Sequence, residues 1–234
     1  MEKPFKLQLV GPEHPLAAAA RALIGAVFLE KFGNTEEIMH EEYDRYRPAT
    51  RYLVMTDREA GVVGAFGVIG DSPAGLKSVN DLSRPPWNVP QAEITPGNPA
   101  FAAAFEGRKT LDVATAAVEP PYRGRNNPAG PRVSMALLHG LCAISMREGV
   151  ECWVTILEQK VFNEVIMPLG QPLTHYEDPR LGTREYLGAV STPLYSDVVE
   201  YERRLQRDHP EMHAVFFGGA HIRDFADISL EPMG

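Results

Sequence analysis

The stretch from residue 110 to residue 170 constrains the fold more than any other part of the chain. It reads TLDVATAAV, EPPYRGRNNPAGPR, VSMALLHGLCAISMREG, VECWVTIL and EQKVFNEVIMPLG. Leu111, Val113 and Val118, with small or β-branched residues between them, make a buried strand rather than a helix. The following turn holds Pro120, Pro121, Gly124, Pro128, Gly130 and Pro131, so no regular element continues through it. Val133, Ala136, Leu137, Gly140, Leu141 and Ile144 then recur at steps of three and four, one apolar helical face that can lie on a sheet. A strand over residues 152–157 and a helix over 161–169 complete a parallel crossover.

The turn also carries the chain's main chemical signal. Arg123, Arg125 and Arg132 surround a helix start at which Pro131 suits the first position. Free backbone amides there, flanked by guanidinium groups, form an anion site of the kind a pyrophosphate needs. The segment matches neither a Walker loop nor G-x-G-x-x-G, which argues against nucleotide and dinucleotide binding. Ser134 has no G-x-S-x-G around it, so a hydrolase elbow is unsupported.

Phe5, Leu7 and Leu9 alternate with polar residues and predict an opening strand, and residues 15–32 predict a helix ended by Gly33-Asn34. A further helix from Thr35 to Tyr46 starts on a capping threonine, and residues 52–56 and 62–69 read as a hairpin. Residues 71–101 are proline-rich and aperiodic, an insertion expected to act as a lid over an acceptor, with Trp87 as its apolar contact. Beyond residue 170 the pattern predicts a strand over 185–190, a helix over 193–207 and a short strand over 214–217.

This order resembles the acyl-donor half of the GNAT acyltransferase superfamily. Tyr122-Arg123-Gly124-Arg125 starts that superfamily's Q/R-x-x-G-x-G/A turn, but Asn126-Asn127-Pro128 stands where its glycine pair belongs. Glu42-Tyr43-Asp44, Tyr52-Leu53-Val54-Met55-Thr56-Asp57 and Val62-Val63-Gly64 resemble the branch of autoinducer synthases and long-chain N-acyl amino acid synthases. The likeness covers about residues 40–170. The arginines and glutamate that autoinducer synthases use are replaced at Gly67, Asp112 and Thr115, which argues against a homoserine-lactone product. Ile166 stands where many members place an acid tyrosine.

The resemblance implies one α/β (α+β) domain over 1–234, a mixed twisted sheet of about six to seven strands with helices on both faces. It implies an N-acyltransferase that moves an acyl group from acyl-CoA or an acyl-phosphopantetheine carrier protein to a small amine or amino acid. A fold-retaining, non-catalytic acyl-CoA-binding module is the alternative. Donor binding falls to Val118, Arg123, Gly124, Arg125, Arg132 and Ser134, with strand amides at 116–118 as oxyanion donors. Asp112 is the first candidate for base or amine anchor, Glu119 a weaker one, and Tyr122 or Tyr176 a substitute acid. Asp44 and Trp87 are expected at the substrate.

Composition excludes several classes. A net charge of −8 disfavours bulk nucleic-acid binding. The longest apolar run near the N-terminus, residues 22–29, is far short of a membrane span, and no signal-peptide order occurs, so a cytoplasmic protein without a membrane is expected. Cys142 and Cys152 read as buried free thiols. His209, His213 and His221 approach a metal-ligand spacing, but Pro210 breaks the helix it needs, and no metal is expected. An acyl carrier protein and a second copy of the chain are the candidate macromolecular partners.

Overall fold

A computed structural model describes residues 3–70, 72–94, 107–123, 130–170 and 172–233. Among them, nine strands form one mixed sheet in the order β6-β8-β5-β4-β3-β2-β1-β9, with β7 also on β8. The strands are β1 (Phe5–Val10), β2 (Thr50–Asp57), β3 (Gly61–Ile69), β4 (Thr110–Val118), β5 (Cys152–Glu158), β6 (Thr174–His175), β7 (Arg184–Tyr186), β8 (Ala189–Asp197) and β9 (Ala226–Met233). Only β4–β5 and β1–β9 pair in parallel.

Helix α1 (Pro15–Phe32) covers one face. His14 Nδ1 accepts the Leu16 N–H at 3.1 Å at its start, and Gly33 ends it at φ 72°, which an L side chain rarely adopts. Helix α2 (Glu36–Tyr43) follows at once, its Ile38 N–H donated to Thr35 Oγ1. Helix α4 (Gly130–Glu148) lies on the opposite face. A Cβ on Gly140 would meet Leu53 at 3.0 Å and Leu7 at 3.2 Å, so this glycine sets how closely α4 rests on β1 and β2. Leu137, Leu141, Leu7 and Leu53 are buried there, each stabilising the fold by roughly 1.5–3 kcal/mol. Trp153 donates its indole N–H to Ser145 Oγ at 2.8 Å, satisfying the polar edge of the largest core side chain.

Four expectations change. The sheet has more strands than predicted because β9 adds to β1 and the segment after residue 170 supplies three more. The helix expected from residue 193 begins at Val198 as α5 (Val198–Asp208), and β8 runs through Pro193. Proline is tolerated there because on that edge β7 pairing ends at Ser191 and β6 pairing begins at Leu194, so no N–H is required at residue 193. Residues 214–217 are not a strand: Pro210 starts α6 (Pro210–Phe216), followed by α7 (Ile222–Phe225). The helix expected over residues 161–169 is instead a succession of α, π and 3-10 turns over residues 159–169.

Candidate functional site

β4 and β5 pair only at Thr110–Cys152, Leu111–Trp153 and Asp112–Val154, although both strands continue well beyond. Opposite β3, the register slips between Gly67–Thr115 and Val68–Val113, which makes Ala114 an extra residue in β4. The bulge bends β4 just where its pairing with β5 stops. Glu119 N–H donates to Val63 O of β3, so alternation along the strand turns the backbone groups of Ala116 and Val118 toward the gap beside β5. Ala116 is exposed and Val118 half-buried. These are the amides expected to stabilise an oxyanion.

A cavity of about 510 Å³ opens beside this gap, between α1, α2, the ends of β2 and β3, and Ala114 and Thr115 of β4. One wall is apolar, with Ala18, Ala22, Gly25, Ala26 and Leu29 of α1 and Met39 of α2. Its polar groups are Arg21, Asn34, Glu36, His40, Tyr43, Asp44, Arg47, Thr50, Tyr52 and Thr115. The tip of the β7–β8 hairpin reaches α1 next to it, where Asn34 Nδ2 donates to Leu187 O at 3.2 Å. A Cβ on Gly67 would overlap Thr115 Oγ1 and lie 3.4 Å from Tyr52 Cε1, so the floor between these two cavity residues requires glycine.

Asp44, expected at the substrate from its motif, lies on this cavity and holds His40. Its Oδ2 is 2.7 Å from His40 Nδ1, and Glu36 Oε1 is 3.6 Å from Nε2. The spacing of four residues along α2 places all three on one face. Asp44, by hydrogen bond and charge, raises the His40 pKa above its ordinary value, with Glu36 adding to it. Sequence reading missed His40, Arg21 and Tyr52, although the i, i+4 run Glu36-His40-Asp44 was visible and would have marked the first of these.

The donor residues are only partly placed. Gly124 and Arg125 lie outside the described residues. Arg123 folds back, Nε donating to Val118 O at 2.5 Å and Nη1 standing 3.8 Å from Glu30 of α1. Arg132 is exposed on the first turn of α4, its guanidinium 5.6 Å from the Phe225 ring centre, and Ser134 is half-buried two residues further on. Glu119 precedes the 3-10 turn Pro120–Tyr122 at the end of β4.

Asp112, Tyr176 and Trp87 do not line the cavity. Asp112 is fully buried beneath α3 (Lys77–Leu82), accepting Ser78 N–H at 2.5 Å and Ser78 Oγ–H at 2.7 Å. Burial pushes its carboxyl up to about 6, against the opposing pull of Ser78 and of Lys77. Both of its oxygens are committed to the insertion helix, so the sequence expectation of an amine anchor gives way to a structural tie. Tyr176 is buried against Tyr195, and burial raises its hydroxyl pKa well above the ordinary value, the opposite of what a proton donor near neutrality needs. Trp87 is buried beside Tyr186 and donates its indole N–H to Gly182 O at 2.8 Å. Of residues 71–101, expected as an irregular lid, the described stretch 72–94 is packed into the core through Val79, Leu82, Trp87 and Val89, and 71 and 95–101 lie outside the described residues.

Lys77 is the most unusual group in this part. Only 2% exposed, it donates to Asp81 Oδ2 at 2.5 Å, Tyr186 OH at 2.8 Å and Glu42 Oε2 at 3.0 Å, and its ammonium lies 4.6 Å from the Tyr43 ring centre. Glu42 and Tyr43 belong to α2, so this lysine ties the insertion to the cavity wall. Among the described residues there is no cluster of three metal-ligating side chains and no helix long and apolar enough to cross a membrane. Cys142 and Cys152 are buried and unpaired, and burial pushes the Cys152 thiol up to about 12.

No family model matches the chain, and no curated protein sequence matches it. Solved structures do share its fold. FeeM, an N-acyl amino acid synthase from uncultured soil microbes, is 14% identical over 88% of this chain and 98% of that chain, with a TM-score of 0.60. The acyl-homoserine-lactone (AHL) synthase LasI is 14% identical, covering 84% of this chain and 91% of that chain at a TM-score of 0.54. A putative N-acetyltransferase from Lactobacillus plantarum is also 14% identical, over 83% and 98%, at 0.51. The chain thus shares the mixed α/β fold of these solved structures.

Proposed function

We propose that the chain is an N-acyltransferase that carries an acyl group from a thioester, acyl-CoA or an acyl-phosphopantetheine arm, to the amine of a small metabolite or amino acid. The parting of β4 from β5 at the Ala114 bulge, directly beside the α1–α2 cavity, carries this reading. An extended thioester arm lying in the gap can bond to the groups that Ala116 and Val118 turn toward it as a strand would, displacing Arg123 from Val118 O. Its anionic end then falls toward the Arg132 turn and the start of α4. The fold neighbours, among them an N-acyl amino acid synthase, support the same reaction class.

The acceptor amine occupies the cavity and attacks the thioester carbonyl. His40, oriented by Asp44, takes the amine proton at Nε2 as the carbon–nitrogen bond forms. The developing oxyanion rests on a β4 amide, and the carbon–sulfur bond breaks to release a thiolate that the imidazolium or solvent protonates. Because Asp44 raises the His40 pKa above 6.5, kcat/KM should climb with pH through a value above 6.5 as the imidazole becomes neutral. The test is an amine and acyl-donor panel followed by pH profiles of His40→Gln and Asp44→Asn. Asp44→Asn should move the acidic limb to lower pH and His40→Gln should abolish it. A limb unchanged in both variants refutes the assignment of the base, and donor binding without product from any amine refutes the transferase itself.

A further inference from the structure

Nine serine and threonine residues are buried among the described residues. Seven of their hydroxyls have a hydrogen-bond partner, Ser78 in Asp112, Thr192 in Thr183 and the rest in main-chain carbonyls. Two have none among the described residues. Ser196 Oγ is sealed inside the protein, whereas Thr115, 8% exposed, opens on the cavity beside the β4–β5 gap. A buried hydroxyl without a hydrogen bond destabilises the fold, so an unpartnered one that faces a cavity is explained by a ligand that bonds to it. The strand also holds this hydroxyl in one place. Thr115 follows the Ala114 bulge, shares the α1 face of β4 with Ala117, and stands opposite Gly67 of β3. Its Oγ1 takes the space that a Cβ on Gly67 would need, and its β-branch leaves it few rotamers. The next residue, Ala116, turns its backbone groups toward the gap. A hydroxyl on the cavity side and a main-chain amide at the strand edge thus flank the corner where gap and cavity join.

We infer that the Thr115 hydroxyl is a second donor to the oxyanion and so a catalytic residue of the transfer, an assignment that rests on the acyl-transfer reading of this site. As the amine nitrogen bonds to the thioester carbon, the C=O electron pair moves onto oxygen, which accepts one hydrogen bond from Thr115 Oγ–H and one from the β4 amide. Thr115 keeps its proton throughout. The amine proton goes to His40, the carbonyl re-forms, and the carbon–sulfur bond breaks with its electron pair leaving on the thiolate. Because the charge on oxygen develops only along the reaction, the hydroxyl acts on kcat and not on binding. Steady-state kinetics with the best amine and donor of the panel would compare wild type, Thr115→Val and Thr115→Ser. Valine keeps the shape and removes the donor. Thr115→Val should lower kcat at least tenfold with both KM values within twofold, and should melt no lower than wild type because no hydrogen bond within the protein is lost. Thr115→Ser should restore most of the rate. Hydrolysis of the acyl donor on the enzyme in the absence of amine passes through the same oxyanion, and in Thr115→Val it should fall by a similar factor. A smaller loss of kcat overturns the assignment. A rise in the acceptor KM alone, or donor hydrolysis left unchanged, overturns it by placing the hydroxyl on the amine, and a lower melting temperature of Thr115→Val overturns it by making the hydroxyl structural. A wild type that acylates no amine removes the transferase reading and this assignment together, whereas an active wild type matched by Thr115→Val removes only Thr115.

Discussion

Replacing Lys77 by methionine should cost about 3 kcal/mol of folding stability. The ammonium and the Asp81 carboxylate are 3% and 2% exposed as side chains, and Glu42 is 18% exposed, so none of their charges is well solvated. Breaking a buried pair by removing one partner typically costs about 3–5 kcal/mol, because the other charge is left uncompensated. The lower end applies, since Arg84 still bonds both Asp81 and Glu42 and Tyr186 OH still donates to Asp81 Oδ2 at 2.5 Å. Methionine keeps most of the stem's apolar volume, so little of the loss is cavity. Urea unfolding should show a lower midpoint at unchanged slope. In Lys77→Met/Asp81→Leu both charges disappear together, and the double variant should be more stable than the sum of the single losses by about 1–3 kcal/mol. A single-variant loss below about 1 kcal/mol, the size seen for exposed pairs, would refute burial of the network. Additive losses would refute the coupling.

Two other perturbations read the remaining charges. Asp112 is pushed up to about 6 by burial, so the folded state holds its proton more tightly than the unfolded chain, whose aspartate titrates near 3.8. Its stabilising contribution is full below about pH 4 and is lost as pH rises to about 6, so the stability of Asp112→Asn relative to wild type should grow across that window, by up to about 3 kcal/mol, and be flat outside it. Equilibrium unfolding across pH measures this, and a flat difference would mean that Asp112 is not desolvated. Arg132→Ala should weaken CoA binding about tenfold at low salt and much less at high salt, because an exposed guanidinium acts on a phosphate through a charge that salt screens. Calorimetry at two ionic strengths would show an equal loss at both if the residue were merely structural.

The first third of the chain was legible in the sequence because its elements are local. α1 matches residues 15–32, since its end is written in Gly33, and the hairpin of β2 and β3 follows from alternation around Asp57–Gly61. The sheet's far edge was harder. Pro193 reads as a helix start, and the strand there rests on long-range pairing with β5 and on the staggered partners β6 and β7, two and three residues long. β9 was missed although Ala226, Ile228 and Leu230 alternate with Asp227, Ser229 and Glu231, because the partner that makes it a strand, β1, lies at the other end of the chain.

The candidate site divides along the same line. Asp112 was chosen for its motif position, but function depends on which way the strand's side chains face and on what covers them. The insertion's Ser78 lies 34 residues away in sequence and occupies both carboxylate oxygens, a tie that no reading of β4 alone reveals. The cavity, by contrast, collects side chains from α1, α2, β2 and β4, each unremarkable where it stands in the chain. Lys77 joins the two observations: through Glu42 and Tyr43 it fixes α2, which carries His40 and leads directly into Asp44. The insertion's effect on the site is thus exerted from behind the wall that bears the proposed base. On this view, Lys77→Met should raise the KM for the acceptor more than the KM for the donor, because α2 borders only the acceptor's cavity, whereas a simple loss of folded protein would lower kcat and leave both KM values unchanged.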